Sequence, residues 1–389
     1  MTNSRASLSS LPGAVSGAVP PVPDRWTPNR HRSGVASRRP APDASGPARL
    51  AFHRQLPSYA VTPLHDLPSV AADLGVARVA VKDESSRLGL PAFKMLGASW
   101  AAYRALAARY GEPEEPTLKA LRARIEGNAP VTLVTATDGN HGRAVARMAS
   151  LLALDAMVLI PDVVSEAAIQ AVRDEGADVR VLSEGYDDTV RAAARLCEDS
   201  ADRLLVQDTS WPGYETVPRW IVDGYATLFE EAMAQLGSGP ALLVVPAGVG
   251  SLAHAAALHC QRYVGWRAVT VEPEAAPCIA ASLAVGHSVT TPTSTTTMAG
   301  LNCGTPSSLA FPDLLATLDG GIWVTDAEAA EAGARLAEAG IDSGPCGAAS
   351  LAALQYLKGA AGAEHLLTPG RTVVLLNTEA APRKGVLPE

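Results

Sequence analysis

From Phe52 onward the sequence alternates short β-branched runs with alanine-rich amphipathic segments, and no other feature limits its possible folds as tightly. The runs are RVAVKDE (78–84), VTLVTA (131–136), DAMVLIP (155–161), DVRVLS (178–183), RLLVQD (203–208), ALLVVPAG (241–248), RAVTVEP (267–273), GIWVTD (321–326) and RTVVLLNT (371–378). Between them, residues 165–175, 187–198, 218–236 and 327–339 space their apolar side chains at helical intervals. Strand, helix, strand, helix is the signature of an α/β fold with mostly parallel sheet. Ligands of such sheets bind beyond the strand C-termini, which is where chemistry is to be sought.

The chain has 389 residues, 47% of them apolar, enough for two lobes. A net charge of −8 gives no basic surface, so nucleic acid is not an expected partner and a small molecule is. No apolar run is long enough to span a bilayer and no secretory signal is visible, which makes a cytoplasmic protein with no membrane association the expectation. Five cysteines, at 197, 260, 278, 303 and 346, form no CxxC pair, so neither a metal site nor a disulfide scaffold is expected. Cys278 and Cys303 flank the threonine-rich loop TTPTSTTT and could approach each other, with two reduced thiols the preferred state.

Residues 1–48 are rich in Pro, Ser, Ala and Arg without periodicity, and read as a disordered tail. A transit peptide is the alternative, but prolines 20, 21, 23 and 28 oppose the helix such peptides form.

Four strand ends carry unusual turns. Lys94, in AFKMLGAS, has Phe93, Met95 and Leu96 around it; a lysine desolvated there suits a Schiff base, while an ordinary snorkelling lysine is the alternative. The turn TDGNHG (137–142), directly before a helix expected at Arg143–Leu154, could hold a carboxylate on backbone N–H groups, and Asn140 could meet a phenolic oxygen; an Asx turn capping the helix is the alternative. AGVGSLA (247–253) ends a strand with small residues that let N–H groups surround a phosphate, or is simply a tight turn. Thr378 at the last strand tip could meet a pyridine nitrogen or bond to nearby backbone.

Together AFKMLGAS, TATDGNHGRAVA, AGVGSLA and MAGLNCGTPS (298–307) resemble the motifs of the diaminopropionate ammonia-lyases, within the fold-type-II pyridoxal-phosphate enzymes that include tryptophan synthase β. The likeness runs from FHRQLPSYAVTPL near residue 52 to LLNTE near 379. It implies pyridoxal 5'-phosphate as cofactor, with Lys94 as its Schiff-base partner and Asn140 on its phenolic oxygen. It also implies that Gly248, Val249, Gly250, Ser251 and Leu252 cradle the phosphate and that Thr378 faces the pyridine nitrogen. Thr137, Asp138, His141 and Asp208 would meet a small amino-acid substrate, Asp138 also serving as a second catalytic base beside Lys94; the alternatives are that Asp138 only attracts a second ammonium or shapes the turn and that Asp208 is a helix or turn cap.

The fold expected is two α/β lobes with the cofactor in the cleft between them, residues 49–96 and 221–389 forming the larger and 97–220 the smaller, in a homodimer. The reaction implied is elimination of 2,3-diaminopropionate, both L and D, to pyruvate and ammonia. A serine or threonine dehydratase-like eliminase and a non-catalytic binding protein of the same fold stay open; Asp138 and Asp208 favour a doubly cationic substrate. One departure stands out. IDSGPCGAASL (341–351) places Pro345 and Cys346 where the lyases read closer to SGESGA, so a carboxylate is missing there.

Overall fold

The computed structural model describes residues 23–33, 46–137, 139–198 and 200–382. In chain order the strands are β1 (Trp26–Pro28), β2 (Leu64–Asp66), β3 (Arg78–Asp83), β4 (Thr132–Ala136), β5 (Ala156–Pro161), β6 (Asp178–Leu182), β7 (Arg203–Leu205), β8 (Ala241–Pro246), β9 (Arg267–Pro273), β10 (Gly320–Val324) and β11 (Thr372–Asn377). They build a seven-stranded sheet in the order β1-β10-β9-β8-β11-β3-β2 and a four-stranded sheet in the order β6-β5-β4-β7. The smaller sheet is wholly parallel. The larger is parallel except for its two edge strands, β1 and β2, which run antiparallel to β10 and β3.

Strands β3 to β11 overlap the nine expected runs. Every residue of β5 and β8 is buried, as continuous apolar runs require when helices cover both faces. At the edge of the smaller sheet, β6 is mostly exposed and alternates accordingly.

The helices Lys94–Tyr110 and Thr216–Leu236 touch backbone to backbone through two glycines. A Cβ on Gly224 would lie 2.4 Å from the Leu96 carbonyl oxygen, and one on Gly97 would lie 2.5 Å from the Tyr225 ring. Only hydrogen at both positions allows this approach. It presses Tyr225 against the helix turn that starts with Lys94, where its ring also packs on Phe93 at 4.8 Å between centroids.

The expectation of a disordered tail over 1–48 fails for residues 23–33, which extend the larger sheet through β1. Trp26 is buried, while the Arg25 guanidinium lies 4.1 Å from the Tyr356 ring centroid and donates to Glu328 at 2.5 Å. Burial of that ring and pairing of that charge offset the entropy of ordering a short segment. A three-residue strand has no periodicity to read. The rest of the expected tail lies outside the described residues, apart from the helix Gly46–Arg54, which starts inside its last positions.

Candidate active site

A cleft of about 770 Å³, open mouth included, lies beyond the C-terminal ends of β4, β8 and β11, where an α/β sheet places its ligands. Lys94, Thr137, Asn140, Asp208, the run 246–252, Thr378 and Glu379 all line it. The four turns singled out in the sequence thus converge on one cavity. Asp138 lies outside the described residues.

Lys94 opens its helix, and its Nζ donates to Asp208 Oδ2 at 2.6 Å. Its side chain keeps 21% of its surface against 6% for Asp208, so it sits in an ion pair at the cleft wall, not in a purely apolar pocket. Burial pushes the Asp208 carboxyl up, but Lys94 and then His141 outweigh it and hold its pKa down to about 2. An ionised carboxylate faces the cleft.

Asn140 begins the helix Asn140–Leu151, which therefore starts three residues earlier than expected. The reason is Thr137, whose Oγ1 accepts from the N–H groups of Gly139 at 2.9 Å and Gly142 at 3.2 Å and closes the turn. His141 is buried and is not among the residues lining the cleft. Its Nε2 bonds to the Val206 carbonyl oxygen at 2.8 Å and its Nδ1 lies 4.0 Å from Asp208 Oδ2, so it reaches the site through that carboxylate. Burial first, and Lys94 after it, lower its pKa against the opposing pull of Asp208.

The loop after β8 turns at Gly250, whose φ of 97° only glycine adopts without strain, and passes into the helix Ser251–Cys260. Ser251 Oγ donates to the Asp208 carbonyl oxygen at 2.9 Å, and the Val249 carbonyl accepts from Ser307 N at 2.8 Å. These bonds hold the loop open under the cleft with the helix N-terminus facing it, a setting for a phosphate. Cys278 and Cys303 both approach Gly248, and none of the five cysteines forms a disulfide. Among the described residues no group of three or more His, Cys, Asp or Glu is arranged to hold a metal ion.

Thr378 follows β11, which lies between β3 and β8. Its carbonyl accepts from Phe93 N at 3.2 Å, which ties the strand end to the start of the Lys94 helix. Its Oγ1 is buried and has no hydrogen-bond partner among the described residues. A buried hydroxyl in that state points to a partner supplied by whatever fills the cleft.

The sequence profile of the family described as "Pyridoxal-phosphate dependent enzyme" matches residues 56–379, most of the chain. The chain belongs to the pyridoxal-phosphate dependent enzymes. The diaminopropionate ammonia-lyase of Salmonella typhimurium is 38% identical over 283 residues, 68% of this chain and 68% of that protein. The holo diaminopropionate ammonia lyase of Escherichia coli superposes with a TM-score of 0.81 at 31% identity, covering 91% of this chain and 93% of that one. The complex of that protein with D-serine gives a TM-score of 0.80 at 31% identity over the same shares. The two α/β layers with mostly parallel sheets are the fold-type-II arrangement of these pyridoxal-phosphate enzymes.

The residues present fit pyridoxal phosphate. The orphan hydroxyl of Thr378, the glycine-containing loop at a helix N-terminus, and a lysine amine at the wall match its ring nitrogen, phosphate and aldehyde in donor chemistry. Among the described residues no helix is long and apolar enough to cross a membrane.

Tyr186, Tyr225 and Glu379 line the cleft and escaped the sequence reading. Tyr225 is fully buried, its hydroxyl has no partner among the described residues, and nothing local marks it, since it lies mid-helix. Glu379 directly follows the expected Thr378 and accepts from Asn140 Nδ2 at 2.8 Å. A carboxylate straight after a strand tip was the available signal.

Proposed function

We propose that this chain eliminates the β-amine of 2,3-diaminopropionate, giving pyruvate and ammonia as an ammonia-lyase, and that it accepts both the L and the D isomer. The observation that carries the reading is the ionised Asp208 facing the cleft beside Lys94, in a chain so similar to two diaminopropionate ammonia-lyases. A buried carboxylate suits the second ammonium of such a substrate and would gain little from a hydroxyl.

Lys94 would hold the cofactor through Nζ, Asn140 would donate to its phenolic oxygen, and the N–H groups of Gly248, Val249, Gly250, Ser251 and Leu252 would take its phosphate. Thr378 would offer a hydroxyl to the ring nitrogen. When bound, the cofactor supplies a ring that withdraws the charge left at the substrate α-carbon. Thr378, being a hydroxyl and not a carboxylate, leaves that withdrawal modest, which suits prompt loss of a β-substituent over transamination. Once free, the Lys94 amine moves the α-proton of the L isomer. Asp138 would do the same from the opposite face for the D isomer, and binding of D-serine by the E. coli relative supports room for that configuration. Thr137 and the turn it closes would orient the substrate carboxylate, with His141 steadying Asp208 from behind.

The reading includes a cytoplasmic homodimer and a division into lobes at 49–96 with 221–389 and 97–220, supported by the separation of the two sheets. The test is turnover of a panel of β-substituted amino acids, assayed as pyruvate. Diaminopropionate should be the best substrate by kcat/KM, and faster turnover of serine or threonine would replace this reading with the dehydratase one.

A further inference from the structure

Beside the departure at IDSGPCGAASL stands a carboxylate from another segment, Glu379. Glu379 lies against the first turn of the helix Pro345–Leu357, where Oε1 accepts from Cys346 N at 3.3 Å and the Cys346 thiol also bonds to the carboxylate. Its own backbone is fastened there, because its carbonyl accepts from Gly344 N at 2.9 Å and the residue pairs with Ala92 as an antiparallel bridge. The 344 position is shaped to it: a Cβ on Gly344 would lie 2.9 Å from both Glu379 Cγ and Oε1. Glu379 and Cys346 lie on the cleft wall along with Asn140.

We propose that Glu379 is a positioning residue that fixes the side-chain amide of Asn140, holding its nitrogen at the cleft wall so that one N–H remains for an anionic oxygen of the bound cofactor. The two ends of an asparagine amide are nearly equal in shape, and only their hydrogen-bond partners decide which way the group faces. A carboxylate accepts and does not donate, so it selects the nitrogen. Nδ2 carries two hydrogens, and the 2.8 Å bond to Oε2 uses one of them. The other is left for the phenolic oxygen.

The donors around Glu379 oppose its neutral form. Burial dominates and leaves the pKa of Glu379 above the ordinary carboxylate value, while Cys346, Asn140 and Lys94 limit the rise. The helix N-terminus at Pro345 adds partial positive charge on the same side. The helix start at Pro345 and Cys346 leaves space and two donors for a carboxylate that arrives from the end of the last strand.

The inference rests on the reading that Asn140 meets the cofactor, and a double-mutant cycle on the holoenzyme separates the two. Cofactor affinity and the absorption spectrum of the bound cofactor are measured for the parent, Glu379→Gln, Asn140→Ala and the double variant. Glutamine can donate to the amide oxygen, so Glu379→Gln should weaken cofactor binding about tenfold and alter the absorption bands. In the Asn140→Ala background the same change should do neither, since its target is gone. Equal effects of Glu379→Gln in both backgrounds would overturn the inference and leave the role of Asn140 intact. An Asn140→Ala holoenzyme with unaltered affinity and spectrum would overturn that role and the inference with it. Should Glu379→Gln not fold, Glu379→Asp keeps the charge, withdraws it from Asn140, and is read in the same cycle.

Discussion

The ammonium of Lys94 and the carboxylate of Asp208 meet at 2.6 Å although 114 positions separate them in the chain. Were Lys94 joined to the cofactor as proposed, Asp208 would be left to pair with another cation, and the second ammonium of diaminopropionate is of the right kind. Asp208→Asn should raise KM for diaminopropionate by about ten- to a hundredfold, the worth of a buried charge-assisted contact, and change KM for serine little. Steady-state kinetics on both substrates check this, and equal effects would remove Asp208 from the β-amine.

Lys94 should be the covalent site. Borohydride reduction of the holoenzyme followed by peptide mapping should find the pyridoxyl group on the peptide containing AFKMLGAS. A label on Lys82, which is buried against Glu231 at 3.1 Å, or on any other lysine would refute the assignment.

Gly250→Asp puts a negative side chain on a residue with a φ of 97°, at the loop proposed to take the phosphate. Cofactor affinity should fall at least a hundredfold from repulsion and strain together, with far-ultraviolet circular dichroism retained. Unchanged affinity would place the phosphate elsewhere.

Asp138→Asn keeps the shape of the side chain and removes its basicity. Activity on D-diaminopropionate should drop by about two to four orders of magnitude, the usual worth of a general base, while much of the activity on the L isomer remains. Equal losses on both isomers would assign Asp138 to binding, and a parent enzyme inactive on the D isomer would leave no second base to look for.

Burial and the nearby Arg262 hold the pKa of His259 down to about 3, and its ring lies among Phe229, Tyr263 and Trp266. A histidine whose pKa falls on folding takes up its proton first in the unfolded chain, so its effect is absent above pH 6.5 and grows as pH drops toward the folded value. Glu272, pushed by burial up to about 8, acts in the opposite sense, so the informative quantity is a difference between variant and parent. His259→Phe should gain about 1.4 kcal/mol over the parent when urea unfolding is moved from pH 7.5 to 5.5. A pH-independent difference would mean that His259 titrates normally.

The sequence alone determined the fold class and the identity of most of the cleft residues. Continuous apolar runs such as ALLVVP mark central strands because burial on both faces leaves no reason to alternate, and that signal is local. Lys94, Asn140, the 248–252 loop and Thr378 were legible as candidates for a related reason: each stands in a short motif whose residue types single it out, although the same types also allowed a purely structural reading. Only the tertiary structure decided which distant groups meet. Nothing local says that β11 inserts between β8 and β3, yet that placement brings Thr378 to the start of the Lys94 helix. Nothing near Trp26 announces a strand, because its stabilisation comes from β10 and from Tyr356 and Glu328. Tyr225 faces the cleft because Gly97 and Gly224 let two helices close, and Glu379 reaches Asn140 across 239 positions. Such contacts depend on the shape and charge of surfaces that exist only once the layers have packed, and periodicity along the chain carries no record of them.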